Sequence, residues 1–176
     1  MSSTVVALAD LDGHSGSFFF AGILRPKEGA TMSRVSTYLN FMGDTEEAFN
    51  FYRGVFGTEF VAPIQRFGDM AAGPGMPPLS DDERGKVLHV ELPILAGHLI
   101  MGTDMLASMG HQLRVGNNTT MNLEPDSREE ADRLYMALSE GGTDATGMND
   151  MPWGAYWGVC LDRFSVRWMI NFDPQR

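Results

Sequence analysis

The stretches "GDTEEAFNFYRGVFGTEF" (43–60) and "PDSREEADRLYMALSEGGTDA" (125–145) carry one pattern twice, and that repetition restricts the fold more than any other feature of the chain. Glu129-Glu130-Ala131 with Tyr135 stands 83 residues after Glu46-Glu47-Ala48 with Tyr52. Each run is followed by Gly-Thr-acid, as Gly57-Thr58-Glu59 and Gly142-Thr143-Asp144. Matched flanks around matched segments point to an internal duplication. In the first copy Asp44 is placed to cap a helix, Glu47 is its capping-box partner and Gly57 supplies the stop. Ala48, Phe49, Tyr52, Val55 and Phe56 recur at three- and four-residue steps, so they share one face. The second copy uses Ser127 with Glu130 as the capping pair, Ala131, Leu134, Tyr135 and Leu138 as the face, and Gly141-Gly142 as the stop.

Alternating apolar and polar residues predict a strand before each helix, at 35–41 and 117–123, and three strands after it. Those fall at about 58–67, 86–93 and 97–103 in the first copy and at about 144–149, 155–161 and 165–172 in the second. The expected class is therefore α+β, with a strand-helix-three-strand unit used twice: module one at about 34–104 and module two at about 115–173. Between two strands of module one, "GDMAAGPGMPPLSDDERG" (68–85) reads as a long loop, either mobile or able to close over a site. Residues 32–176 are expected to be one domain and residues 1–31 an N-terminal arm or tail. The apolar run "SFFFAGIL" (17–24) follows Asp10 and Asp12 with no Lys or Arg, unlike the basic start of a secretory signal.

Thirteen Lys and Arg against twenty-three Asp and Glu leave a net charge of −10, which argues against nucleic acid as a partner. A single cysteine excludes an internal disulfide and fits a reducing, cytoplasmic setting. No apolar run reaches the roughly 20 residues of a membrane helix, so no membrane partner is expected.

The duplicated unit resembles the vicinal oxygen chelate superfamily, which includes glyoxalase I, extradiol dioxygenases and bleomycin-resistance proteins, and within it the PhnB-like branch. The resembling segments are "YLNFMGDTEEAFNFYRGVFGTEF" (38–60), "HVELPILAGHLIMGTD" (89–104) and "WGAYWGVCLDRFSVRWMINF" (153–172). The resemblance implies a glyoxalase-like curved mixed sheet around a cavity, a small-molecule ligand there, and a homodimer. It also implies that metal-using relatives draw one ligand from each of four strands. Carried over, those positions fall near Ser36 or Thr37, at Met101, near Asn118 or Thr119, and at Met169, where metal-using relatives commonly carry Glu. None is an imidazole or carboxylate, so no metal and no cofactor are expected. Ser165 stands where the resembling turn usually has Gly, which predicts strain if that position needs a positive φ. The 3-demethylubiquinone methyltransferase-like label attached to the branch finds no support in the residues: "AAGPGMPP" lacks the strand-turn-helix context of a nucleotide loop.

Several residues are candidates for contact with a ligand. In "VLHVELPI", Leu88, Val90 and Leu92 are expected to meet the helices, leaving His89 and Glu91 toward the cavity as candidate acid/base groups, with a structural histidine as the alternative. Arg167 shares a face with Met169 and either grips an anion or pairs with an acid at the sheet edge. Alternation assigns Trp157, Val159 and Leu161 to the core and Tyr156 to the cavity, with Trp153 open to either role. Met101, Met121 and Met169 suit a pliable apolar pocket or simple gap-filling. Cys160 reads as a buried, inert thiol, and His98 and His111 lie far from any zinc motif. The preferred reading is a metal-free small-molecule-binding homodimer. The alternative is a glyoxalase- or dioxygenase-type enzyme using a displaced metal site or a His89 acid/base.

Overall fold

In the computed structural model, which describes residues 33–71 and 78–175, the strand-helix-three-strand unit occurs twice. Module one contains β1 (Thr37–Phe41), helix α1 (Thr45–Phe56), β2 (Gln65–Arg66), the short helix α2 (Asp81–Gly85), β3 (Val87–Pro93) and β4 (Leu99–Asp104). Module two contains β5 (Met121–Leu123), α3 (Arg128–Ser139), β6 (Asn149–Asp150), β7 (Tyr156–Leu161) and β8 (Arg167–Phe172). The sheets run β1-β4-β3-β2 and β5-β8-β7-β6, so each module has the same strand order. The first strand of each lies parallel to the last, and the remaining pairs are antiparallel. The N-terminal arm expected at 1–31 falls outside the described residues. Among those that are described, no helix is long and apolar enough to cross a membrane.

Helices α1 and α3 each cover one face of their sheet. Ala48, Phe49, Tyr52 and Val55 of α1 and Ala131, Leu134, Tyr135 and Leu138 of α3 are buried, as their spacing predicts. Fully burying each large apolar side chain contributes about 1.5–3 kcal/mol. Close approach is made possible by small strand residues. A Cβ on Gly102 of β4 would stand 2.3 Å from Phe49 Cε2, and one on Gly158 of β7 would stand 2.7 Å from Met148 Sδ and 3.1 Å from Tyr135 Cε2.

Helix α1 is not capped as its sequence suggests. Asp44 makes no side-chain cap; the buried carboxylate of Asp104, at the end of β4, replaces it. Its Oδ1 accepts from Gly43 N at 2.9 Å, Thr45 N at 3.2 Å and Thr45 Oγ1 at 2.6 Å, while Oδ2 accepts from Val87 N at 2.8 Å. Ser127 does cap α3, accepting from Glu130 N at 3.1 Å, but the Glu130 carboxylate turns to Arg133 instead of closing a capping box.

Four other expectations are corrected. The edge strands expected at 58–67 and 144–149 shrink to the residue pairs of β2 and β6, because elsewhere the flanking chain touches β3 and β7 only at isolated points such as Val61 N to Glu91 O at 3.0 Å and the Thr143–Leu161 bridge. Only 121–123 of the strand expected at 117–123 pairs with β8. The segment read as an uninterrupted loop at 68–85 includes α2, whose N-cap Ser80 and Glu83 form a reciprocal capping box. Finally, Val87 is buried in place of Leu88, since the β2–β3 pairing shifts register between Gln65 and Arg66 and breaks the alternation.

Candidate functional site

The modules join through α1 and the hairpin of module two. Tyr52 of α1 donates its hydroxyl to Asp162 Oδ2 at 2.8 Å, and Trp168 Nε1 donates to the same oxygen at 2.8 Å. Asp162 Oδ1 takes Phe164 N and Val166 N at 2.8 and 2.9 Å, so this buried carboxylate is fully engaged in closing the β7–β8 turn. Phe51 packs at a tilt against Phe164 and Phe56 against Trp168, with ring centroids 5.7 and 5.8 Å apart. Burial, then Asp162, pushes the Tyr52 phenol well above its ordinary range and keeps it a donor.

On the sheet face away from α1, register places Tyr38, Met101 and Glu91 in one row across β1, β4 and β3. His89 lies two residues along from Glu91 and connects the row. Its Nδ1 is 3.2 Å from Tyr38 Oη and its Nε2 is 3.0 Å from Glu91 Oε1, with the Tyr38 and His89 rings stacked at 5.9 Å. Arg34 adds a looser ion pair to Glu91 at 3.8 Å. Burial, partly opposed by a Thr103 hydrogen bond and reinforced by Glu91, raises the Tyr38 phenol. The chain Tyr38–His89–Glu91 is a proton path in geometry, open to solvent at the Tyr38 end.

The corresponding row in module two is Asn122, Met169 and Val159, with Arg167 and Leu161 beside it. Sequence reasoning missed Tyr38 and Asn122. They are the neighbours of Met101 and Met169 on the open face, whereas Ser36 precedes β1 and 118–119 precede β5. Thr37 instead meets His98, Oγ1 to Nε2, at 3.0 Å. A phenol, an amide and two thioethers at the four strand positions do not fit a hard or borderline divalent metal. Among the described residues, no three His, Cys, Asp or Glu side chains converge to form another such site.

Tyr156 and Trp157 occupy faces opposite to those expected. Tyr156 lies on the helix side, where its hydroxyl donates to Asp132 Oδ1 of α3 at 2.6 Å and Arg128 covers its ring. Trp157 pairs across the sheet with Asn171 on the open side. The physical reason is the room α3 needs: Gly158 and Cys160 are the small residues beneath the helix, and Tyr156 shares their face. Trp153 is 69% exposed in the turn before β7 and lines none of the clefts described below. Cys160 is fully buried, as expected.

The free edges of β1 and β5 border two clefts along the seam between modules. One, of 290 Å³, is bordered by the length of β1, the 113–116 segment, and the turn leading to Arg167. The second, of 410 Å³, lies between Thr37, the β3–β4 turn with His98, and residues 119–124. The first is lined by Leu39, Leu113, Met121, Phe164 and Val166, with Tyr38, Asn40, Arg114 and Arg167 among its polar groups. An apolar concavity with few convergent polar groups is the usual form of a small-molecule site.

Two tandem βαβββ units of this topology define a protein of the vicinal oxygen chelate fold, the class of the glyoxalases and bleomycin-resistance proteins. Residues 33–171 match the family described as 3-demethylubiquinone-9 3-methyltransferase, and the chain belongs to that PhnB-like family. Protein PA1353 from Pseudomonas aeruginosa is 29% identical, with a TM-score of 0.68 over 81% of this chain and 98% of that one. A putative 3-demethylubiquinone-9 3-methyltransferase, PhnB protein, from Bacillus cereus is 25% identical, with a TM-score of 0.61 over 80% and 99% of the two chains. Protein YjdN of Escherichia coli K12 is 28% identical over 147 residues, 81% of this chain and 97% of its own.

Proposed function

We propose that the protein is a metal-free, cytoplasmic, small-molecule-binding homodimer whose ligand occupies the seam cleft along β1. The observation that carries this proposal is the 290 Å³ cleft itself, drawn from both modules and lined by apolar side chains alongside polar ones. The donor chemistry of Tyr38, Met101, Asn122 and Met169 supports the absence of a metal. A lone buried thiol supports a reducing compartment, and family resemblance supports the dimer. The methyl transfer in the family's description is not part of the proposal, because among the described residues no Gly-rich nucleotide loop lies within an alternating strand-helix order.

Native mass spectrometry with metal analysis, on full-length protein purified without chelators or affinity metal, tests the proposal. A metal-free dimer that retains or takes up a small molecule in the cleft supports it. A monomer removes the dimer, and stoichiometric metal lost on His89→Ala removes the metal-free reading.

A second reading, an enzyme with a His89 acid/base, is favoured by one observation, the hydrogen-bonded chain Tyr38–His89–Glu91. It predicts turnover of a bound ligand that is lost in both His89→Gln and Tyr38→Phe. Binding without turnover in the parent protein would sink it.

A further inference from the structure

Arg167 is held with one edge of its guanidinium unused. Its Nη2 donates to Asp144 Oδ2 at 3.1 Å, but its buried Nε has no hydrogen-bond partner. Buried polar groups are nearly always satisfied, so an orphaned guanidinium N–H at the lip of a cleft marks a place for an acceptor. The expectation of pairing with an acid at the sheet edge thus accounts for only half of this side chain.

A second cation borders the same cleft. Arg114 lines it and, among the described residues, makes no ion pair or hydrogen bond. Although the chain carries a net charge of −10, none of the described residues lining this cleft is Asp or Glu. Asp144 pairs with Arg167 from outside the lining, so Arg114 is the uncompensated charge and gives the cleft a local field opposite to that of the whole molecule. The rest of the wall mixes apolar side chains, Leu39, Met121, Phe164 and Val166 among them, with neutral polar groups such as Tyr38, Asn40 and Thr119. At 290 Å³ the space falls just under the range of about 300–1,000 Å³ for small-molecule pockets, which suits a body of one or two rings.

We infer that the seam cleft binds a small organic carboxylate, its apolar body against Phe164 and Met121 and its charged group held by Arg167 Nε and Arg114. Asp144 then acts as a positioning residue, fixing Nη2 so that Nε stays turned from the edge pair. An anionic ligand presupposes that the cleft binds small molecules at all, so the test separates the two ideas.

The probes are 2-naphthoate and 2-naphthamide, matched in shape and different in charge, titrated calorimetrically into the full chain. The expected result is one naphthoate per chain, bound on the order of tenfold more tightly than the amide, since charge-assisted hydrogen bonds exceed neutral ones. Raising the salt concentration should weaken only the naphthoate. Arg167→Gln and Arg114→Gln should each reduce the preference for naphthoate while leaving the amide affinity within about twofold, as the apolar wall is untouched. Arg114 is exposed and, among the described residues, unpaired, so its variant decides the question even if Arg167→Gln fails to fold. Equal binding of both probes, or a naphthoate preference unchanged in the variants, overturns the carboxylate inference and leaves small-molecule binding standing. Binding of neither probe overturns both.

Discussion

Ser165 holds φ at 64° in the turn joining β7 to β8, where Asp162 N donates to Val166 O at 2.9 Å. The matching turn of module one, Ile94 N to His98 O at 2.8 Å, has Gly97 at φ 74° in that position. A left-handed conformation costs an L residue about 1–2 kcal/mol. Glycine returns about 0.4–1 kcal/mol through the entropy of the unfolded chain. The balance favours glycine, so Ser165→Gly should stabilise the protein by about 0.5–1 kcal/mol; urea denaturation of the two proteins checks this, and a loss of stability would show that Ser165 contributes something its backbone strain conceals. Cys160 gives a second prediction. Burial, reinforced by Asp162 and opposed by Arg167, pushes its thiol from 9.0 to about 11. A raised acid pKa in the fold gives stability that is complete below about pH 9 and lost as pH rises through about 11. Folded protein should therefore resist a thiol reagent at pH 8 and react fully once denatured, and Cys160→Ala should lessen the alkaline fall in stability. Rapid labelling of native protein would contradict this.

Helix α1 shows what periodicity conveys and what it does not. The buried face from Ala48 to Val55 follows from residue spacing alone, because it is a property of one segment. Its cap does not: Asp44 stands in the right place in sequence, yet Asp104 supplies the acceptor from 59 residues beyond Thr45. Sequence adjacency carries no information about which of two aspartates reaches the helix end. The two variants should thus differ sharply. Asp44→Ala should change stability by less than about 0.5 kcal/mol, whereas Asp104→Ala should cost about 3 kcal/mol or more, by orphaning several buried donors. Comparable effects from both would restore Asp44 as the cap. Strand β7 failed for a related reason. Assigning bulk to the core put Trp157 inside, but a helix packed on a sheet selects small residues beneath it, and Gly158 and Cys160 were the legible sign. The short β2 and β6 were overestimated because edge strands owe their length to pairing with a neighbour and not to alternation.

At the scale of the whole molecule, duplication was readable because it repeats side chains at a fixed offset, while the proposed site lies where the two copies meet and no repeat describes that junction. Tyr38 and Asn122 became visible only through register, and the unused edge of Arg167 only through its packing. The junction itself rests on Tyr52, Asp162 and Trp168, with Arg133 of α3 also donating to Val55 O of α1 at 2.7 Å. Through these contacts α1 completes the core of module two as well as its own. The modules should therefore unfold as one cooperative unit. Tyr52→Phe removes one donor to a buried carboxylate, a loss of about 1.5–3 kcal/mol. Although the substitution lies in module one, it should raise hydrogen exchange in β7 and β8 of module two as much as in β3 and β4, with one unfolding transition retained. Exchange confined to module one, or a second transition, would mean that the modules are stable separately. The seam cleft would then lie between independently folding bodies, and its shape would vary with their relative motion.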